Sequence, residues 1–220
     1  MLFVETVKKI FKRFYGNSFN LVLMNMLWSV FAGMMLVLTI GAIRSGVYII
    51  LIIPLFFAGP LLLVGVYLGD MAFDEKMIRF RDLWKGFKKH FKRGLKGFVL
   101  PLIIYTILFI DFYFFFNISL DSILLTVLFF VILFITLVFS MMQLYYWGLL
   151  IIYPDLGILA LVKRSFVLTF DNFMFTFLWF IFLIIILFIF YLVPALLPPL
   201  FISFWGTIIA SGTKMILYQY

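Results

Sequence analysis

Six apolar stretches, each about 20 residues long, constrain this chain more than any other feature. They cover residues 18–40, 47–69, 98–116, 122–147, 173–193 and 200–218. A helix of about 20 apolar residues is long enough to cross the hydrocarbon of a bilayer. The runs lack the strict alternation of a barrel strand and are too long for one. The expected fold is therefore all-α: a polytopic membrane protein whose six transmembrane helices form three hairpins, in one domain over residues 1–220. Composition agrees. The chain is 67% hydrophobic and 12% charged, with 32 Phe and a mean hydropathy of +1.27. A soluble domain of this length needs more charge to cover its surface.

The basic residues give the orientation. Lys8, Lys9, Lys12 and Arg13 precede the first stretch. Nine more lie between the second and third, two between the fourth and fifth, and Lys214 near the end of the sixth. Sixteen of the 17 Lys and Arg thus share one side, and Arg44 alone falls opposite. By the positive-inside rule both termini are cytoplasmic. The same distribution explains the formal net charge of +8 without nucleic acid, which is not an expected partner.

Two basic segments are amphipathic. In the first 15 residues Phe3, Val7, Ile10, Phe11 and Phe14 share a helical face, which suits a membrane surface. In the longest polar segment Phe80, Leu83, Trp84, Phe87, Phe91 and Leu95 recur at helical spacing between Lys85, Lys88, Lys89, Lys92, Arg93 and Lys96. This helix serves either to touch anionic lipid at the cytoplasmic face or to dock a cytoplasmic partner. His90 lies within it and is expected to be solvated. Three times a basic or polar amphipathic segment leads into a hairpin, a rhythm that reads as three parallel pseudo-repeats.

Within the spans, Gly59 and Pro60 fall near the centre of the second. Proline there removes a backbone hydrogen bond, giving either a packing kink or a broken helix that lines a cavity. Asp111 is the one acidic residue well inside a predicted span, and a carboxylate in that place is a functional candidate by default. Its natural partner is Arg44, and an Asp111–Arg44 contact facing the bundle is the sharper expectation; an interfacial carboxylate is the alternative. Asn25, Gln143 and Ser203 are candidates for interhelical hydrogen bonds, with packing the role expected first for each.

No catalytic constellation is present. There is no cysteine, one histidine, no GxSxG and no metal-spaced cluster, so neither enzyme activity, metal nor cofactor is expected.

Several stretches together resemble the YesL-like family of bacterial integral membrane proteins. They are Asn25 to Trp28, Gly59-Pro60, Phe80 to Phe91, Tyr105 to Tyr113, and Tyr153-Pro154 through Lys163 to Asn172. The family is one of unknown function. The resemblance implies residence in the bacterial cytoplasmic (inner) membrane and association with carbohydrate uptake, with sugar ABC-transporter subunits as partners. A non-enzymatic accessory is the function expected; a small-solute transporter or channel, or a lipid-binding scaffold, is the alternative.

Overall fold

The computed structural model describes residues 2–16, 18–117 and 123–218. Among them are eight α-helices and no strand. In chain order they are α1 (Leu2–Gly16), α2 (Ser18–Ser45), α3 (Ile52–Phe73), α4 (Phe80–Asn117), α5 (Ile123–Ile152), α6 (Ile158–Asp171), α7 (Phe173–Leu192) and α8 (Leu197–Leu217). Six of them, α2, α3, α4, α5, α7 and α8, are long and apolar enough to cross a membrane. The protein is a multi-pass helical membrane protein. The fourth span, expected to begin at residue 122, begins in the described residues at Ile123; the chain between α4 and α5 lies outside them.

Two boundaries differ from the sequence reading. The turn expected at residues 41–46 begins only at Gly46, because α2 continues to Ser45. Gly46 adopts φ +71, a left-handed conformation that glycine takes without steric cost. The second difference concerns α4. The basic amphipathic segment and the third span are one helix of 38 residues. At 1.5 Å per residue it is roughly 57 Å long, well beyond the hydrocarbon thickness of a bilayer. Its glycines do not break it because they are packed: Gly86 against Tyr67, Gly94 against Pro60, Gly97 against Leu150.

α8 is the centre of the bundle. It packs on α3 most extensively, then on α2 and α5. Association of helices in lipid gains little from hydrophobicity and depends on close packing, so small residues gather where helices cross. Gly65 and Gly69 of α3 meet Ile202 and Gly206 of α8, in parallel register. A Cβ on Gly206 would overlap the carbonyl of Gly65, so only glycine fits. α3 and α4, by contrast, are antiparallel, with Gly59 beside Gly94 and Tyr67 beside Gly86. The strongest packing therefore joins α3 to α8 and α4 rather than each helix to its hairpin mate.

The α8 seam is polar as well as tight. Ser203, Thr207, Ser211 and Thr213 are all buried. Most are satisfied locally: the Thr207 hydroxyl donates to the Ser203 carbonyl, and Thr213 to those of Ile209 and Leu144. Asn25 of α2 accepts from the Ser203 backbone N–H at 3.0 Å, and the Ser203 hydroxyl donates to the Leu21 carbonyl. Asn25 and Ser203 thus bond between helices, where packing alone was the first expectation. Gln143 differs: its side-chain oxygen is buried without a partner. α1 folds onto the bundle, with Ile10 buried and Phe3 edge-on to Trp179 and Phe182. Away from the seam, large apolar side chains face outward, among them Val37, Ile43, Phe109, Ile110, Ile123 and Phe130. That surface suits acyl chains, not water.

Candidate functional site

Two groups of charged residues are built on the helices that meet at α3.

The first is an ion cluster at the C-terminal ends of α3 and α8. Asp70 and Asp74 are one helical turn apart, so both reach the same neighbour. That neighbour is Lys214, whose Nζ lies 2.7 Å from Asp70 and 2.6 Å from Asp74. Lys214 is therefore paired rather than free to extend toward lipid headgroups. Lys76 adds a second cation at 2.9 Å from Asp74. Burial alone pushes the Asp74 carboxyl up, but hydrogen bonds from Lys214 and Lys76 outweigh it and hold it below its ordinary value of 3.8. Lys76 is shifted the opposite way, upward, by its bond to Asp74. The cluster pins two parallel helix ends together.

The second is the basic half of α4, whose residues take three different roles. Phe87 and Phe91 pack on Phe57 of α3, so part of the aromatic face lies against the bundle. Trp84 remains half exposed with the Lys88 ammonium 5.3 Å from its ring centre. Trp84 and Phe87 also line an apolar cavity of about 310 Å³ with Trp28, Phe31, Phe57 and Leu61. Lys85, Lys88, Lys89 and Lys92 are exposed.

Arg93 does not belong to this solvated set. Its Nε donates to the Leu150 carbonyl at 2.7 Å, and its two terminal nitrogens donate to the carbonyls of Pro154, Tyr153 and Leu156. These are the carbonyls that the end of α5 and the following loop leave without helical partners. A guanidinium is suited to them because it offers five N–H donors in a fixed fork and complements the negative end of the helix dipole. Tyr146 reinforces the junction by donating to the Gly97 carbonyl at 2.7 Å. The Arg164 guanidinium covers the Tyr153 ring at 4.1 Å and bonds its hydroxyl.

His90 also departs from expectation. It is 5% exposed, set against the Tyr67 ring with centroids 5.1 Å apart, and its Nε2 has no hydrogen-bond partner. The cause is its place on α4. Gly86, His90, Gly94 and Gly97 fall on the inward stripe, spaced three or four residues apart, while the lysines project from the other side. That stripe of small residues was visible in the sequence and marks the face that meets α3 and α5.

The intramembrane candidates fare differently. Arg44 is exposed and Asp111 half-buried, and no ion pair joins them. Among the described residues Asp111 has no hydrogen-bond partner, so the expected contact with Arg44 or with a hydroxyl or backbone group is not formed. The reason is geometric: α2, which carries Arg44, packs chiefly on α8 and only marginally on α4. α3 runs unbroken through Pro60, and Gly59 abuts the Gly94 backbone and Phe98. A packed helix crossing, not an open cavity wall, occupies that position. Among the described residues no group of three or more potential ligands is placed to hold a metal ion.

Fold and charge together define a helical multi-pass membrane protein with a tight polar seam and a long helix, α4, whose first half is strongly basic. No protein-family model, curated protein or solved structure matches the chain.

Proposed function

We propose that this protein is a non-enzymatic accessory protein of the bacterial inner membrane that works by docking rather than by moving a solute. The observation that carries the reading is the packing at Gly59–Pro60. A transporter built on a broken helix needs unwound backbone lining a cavity near mid-membrane. Here the helix is continuous, and Gly94 fills the space beside it. Among the described residues, cavities lie beside the basic half of α4, one of them walled also by Trp28, Phe31, Phe57 and Leu61, and there Trp84 and the lysines are available to a partner or to anionic lipid headgroups. The resemblance to the YesL-like family supplies the setting: carbohydrate uptake, with membrane subunits of a sugar ABC transporter as the docked partner.

Two experiments test this. A photoreactive amino acid at Trp84 in native membranes is expected to crosslink to an ABC-transporter membrane subunit. Purified protein in liposomes is expected to give no sugar flux above protein-free vesicles. Saturable flux that depends on the protein contradicts the proposal.

A further inference from the structure

We infer that the apolar cavity between α2 and α4 takes one acyl chain of an anionic phospholipid of the cytoplasmic leaflet, whose phosphate is held by Lys88, Lys89 and Lys92. The inference deepens the docking proposal and rests on its choice of surface, the basic half of α4. Leu61 of α3 lies on the floor of the cavity, and Trp28 and Phe31 of α2 form one wall. The opposite wall is a stripe of α4: Phe80, Leu83, Trp84 and Phe87 are spaced three or four residues apart and so share one helical face.

The lining selects a chain rather than water. The cavity measures about 310 Å³, roughly the volume of ten water molecules in the liquid. Every side chain that lines it is aliphatic or aromatic. A cavity of that kind stays dry or accepts an apolar guest. The way in leads from the bilayer. α2 and α4 meet only marginally, so packing does not seal the groove between them. Phe31, Met34 and Leu38 follow at helical spacing on α2, and the last two face outward. Exposed apolar side chains thus lead along α2 to the wall of the cavity.

Charge selects the lipid. A second cavity of about 440 Å³ shares Trp84 and Phe87 with the first and is lined also by Lys88, Lys89 and Lys92. Trp84 and Phe87 stack with their planes 14° apart and form the ridge between the two. The Lys88 ammonium already lies 5.3 Å from the Trp84 ring centre. Among the described residues no acidic side chain lines either cavity. The acid of this half of α4, Asp82, instead accepts from the Arg79 backbone N–H at 2.9 Å. Lysines at a membrane surface attract anionic headgroups, and an indole suits the boundary between headgroup and chain. A soluble anion would use the lysines and leave the apolar cavity empty. An uncharged lipid would do the reverse. An anionic phospholipid uses both.

The test uses the full chain, purified in neutral sugar detergent and titrated with lipid by native mass spectrometry. The probes are dioctanoyl-phosphatidylglycerol, dioctanoyl-phosphatidylcholine, and glycerophosphoglycerol, which is the first headgroup without chains. Saturable binding of phosphatidylglycerol is expected, about tenfold or more tighter than that of phosphatidylcholine. Glycerophosphoglycerol is expected not to displace it. Leu61→Trp fills the cavity without changing charge. It is expected to weaken binding about tenfold at an unchanged melting temperature, since keeping two methylenes from burial suffices. Lys88→Gln/Lys89→Gln/Lys92→Gln is expected to bind the two lipids alike. Lys8→Gln/Lys12→Gln/Lys163→Gln, which removes as much charge from exposed residues outside both cavities, is expected to keep the wild-type preference. The chain-free headgroup keeps the test decisive should Leu61→Trp fail to fold. Equal affinity of the wild type for the two lipids, displacement by glycerophosphoglycerol, unaltered binding by folded Leu61→Trp, or equal losses in the two triple variants overturns the inference. A cavity that takes a protein partner's apolar side chain instead gives no saturable lipid binding, and that result overturns it too. No transporter is present, so this assay can fail while the crosslink at Trp84 succeeds, and the reverse.

Discussion

Gly206 and Gly33 both sit in membrane-spanning helices, yet they mark two unlike regions. Around Gly206 the backbones of α3 and α8 touch, and no side chain larger than hydrogen fits. Around Gly33 on α2 nothing approaches within 4 Å of where a Cβ would be. The first region has buried hydroxyls, glycine contacts and an ion cluster at its end. The second is an apolar surface whose neighbours, such as Val30, Met34 and Val37, face outward. The difference teaches where specificity resides in a chain this apolar. Hydrophobicity alone cannot choose helix partners in lipid. Small residues, hydroxyls and paired charges choose them.

The sharpest way to break that comparison is a matched pair of substitutions. Gly206→Val is expected to cost about 3 kcal/mol or more, since overpacking at a backbone contact forces the helices apart. Gly33→Val is expected to cost less than about 0.5 kcal/mol, as surface substitutions away from special features usually do. Denaturant-induced unfolding in mixed micelles reads both. Equal effects would show that the α3–α8 crossing is not what holds the bundle.

The next effect tests the α4–α5 junction. Arg93→Lys keeps the charge but loses the fork, and a single ammonium cannot reach four carbonyls. A loss of about 1 kcal/mol is expected by the same unfolding assay, as a consequence of charge-assisted hydrogen bonds lost to part-buried carbonyls. Lys92→Gln, one position earlier and exposed, is expected to change stability by less than about 0.5 kcal/mol. If the two variants behave alike, Arg93 belongs with the solvated lysines after all.

The ion cluster gives a smaller, pH-dependent effect. Asp74 is held below 3.8 in the folded state, so its contribution is complete above that value and disappears as the pH falls through the lower folded value. Asp74→Asn is expected to cost about 1 kcal/mol at neutral pH. The gap between wild type and variant should stay constant down to about pH 4 and close below it. A gap that narrows between pH 7 and pH 5 instead would point to a different titrating group. Smallest of all is Asp111→Asn, expected within about 0.5 kcal/mol of wild type because no partner is lost; a larger loss would restore Asp111 as a paired residue.

The number of spans was legible because length and hydropathy are local properties, and each apolar run signals its own helix. The aromatic face of Phe87 and Phe91 was equally legible from spacing. The continuity of α4 was not, since the lysines and glycines between residues 85 and 97 resemble a loop boundary until Tyr67, Pro60 and Leu150 are seen to cover the glycines. Arg93 was indistinguishable in sequence from Lys92 beside it. Only the fold brings the end of α5 to one and not the other. Asp111 and Arg44 were paired because Asp111 is the acidic residue well inside a span and Arg44 the one cation expected on that side. The observed pairs follow packing instead: Asp70 in the last turn of α3 and Asp74 just beyond its end lie on one side, and α8 runs parallel to α3 and places Lys214 there.

The chain contains no cysteine, so single-cysteine variants report on one position each. Thr207 lies in the middle of the α8 seam, fully buried, while Lys92 lies exposed on the basic helix. In sealed vesicles a membrane-impermeant maleimide supplied to either face should leave Thr207→Cys unlabelled and should modify Lys92→Cys from the cytoplasmic face. Labelling of Thr207→Cys in the folded protein would reveal a water path through the seam and would contradict a docking protein with a closed core.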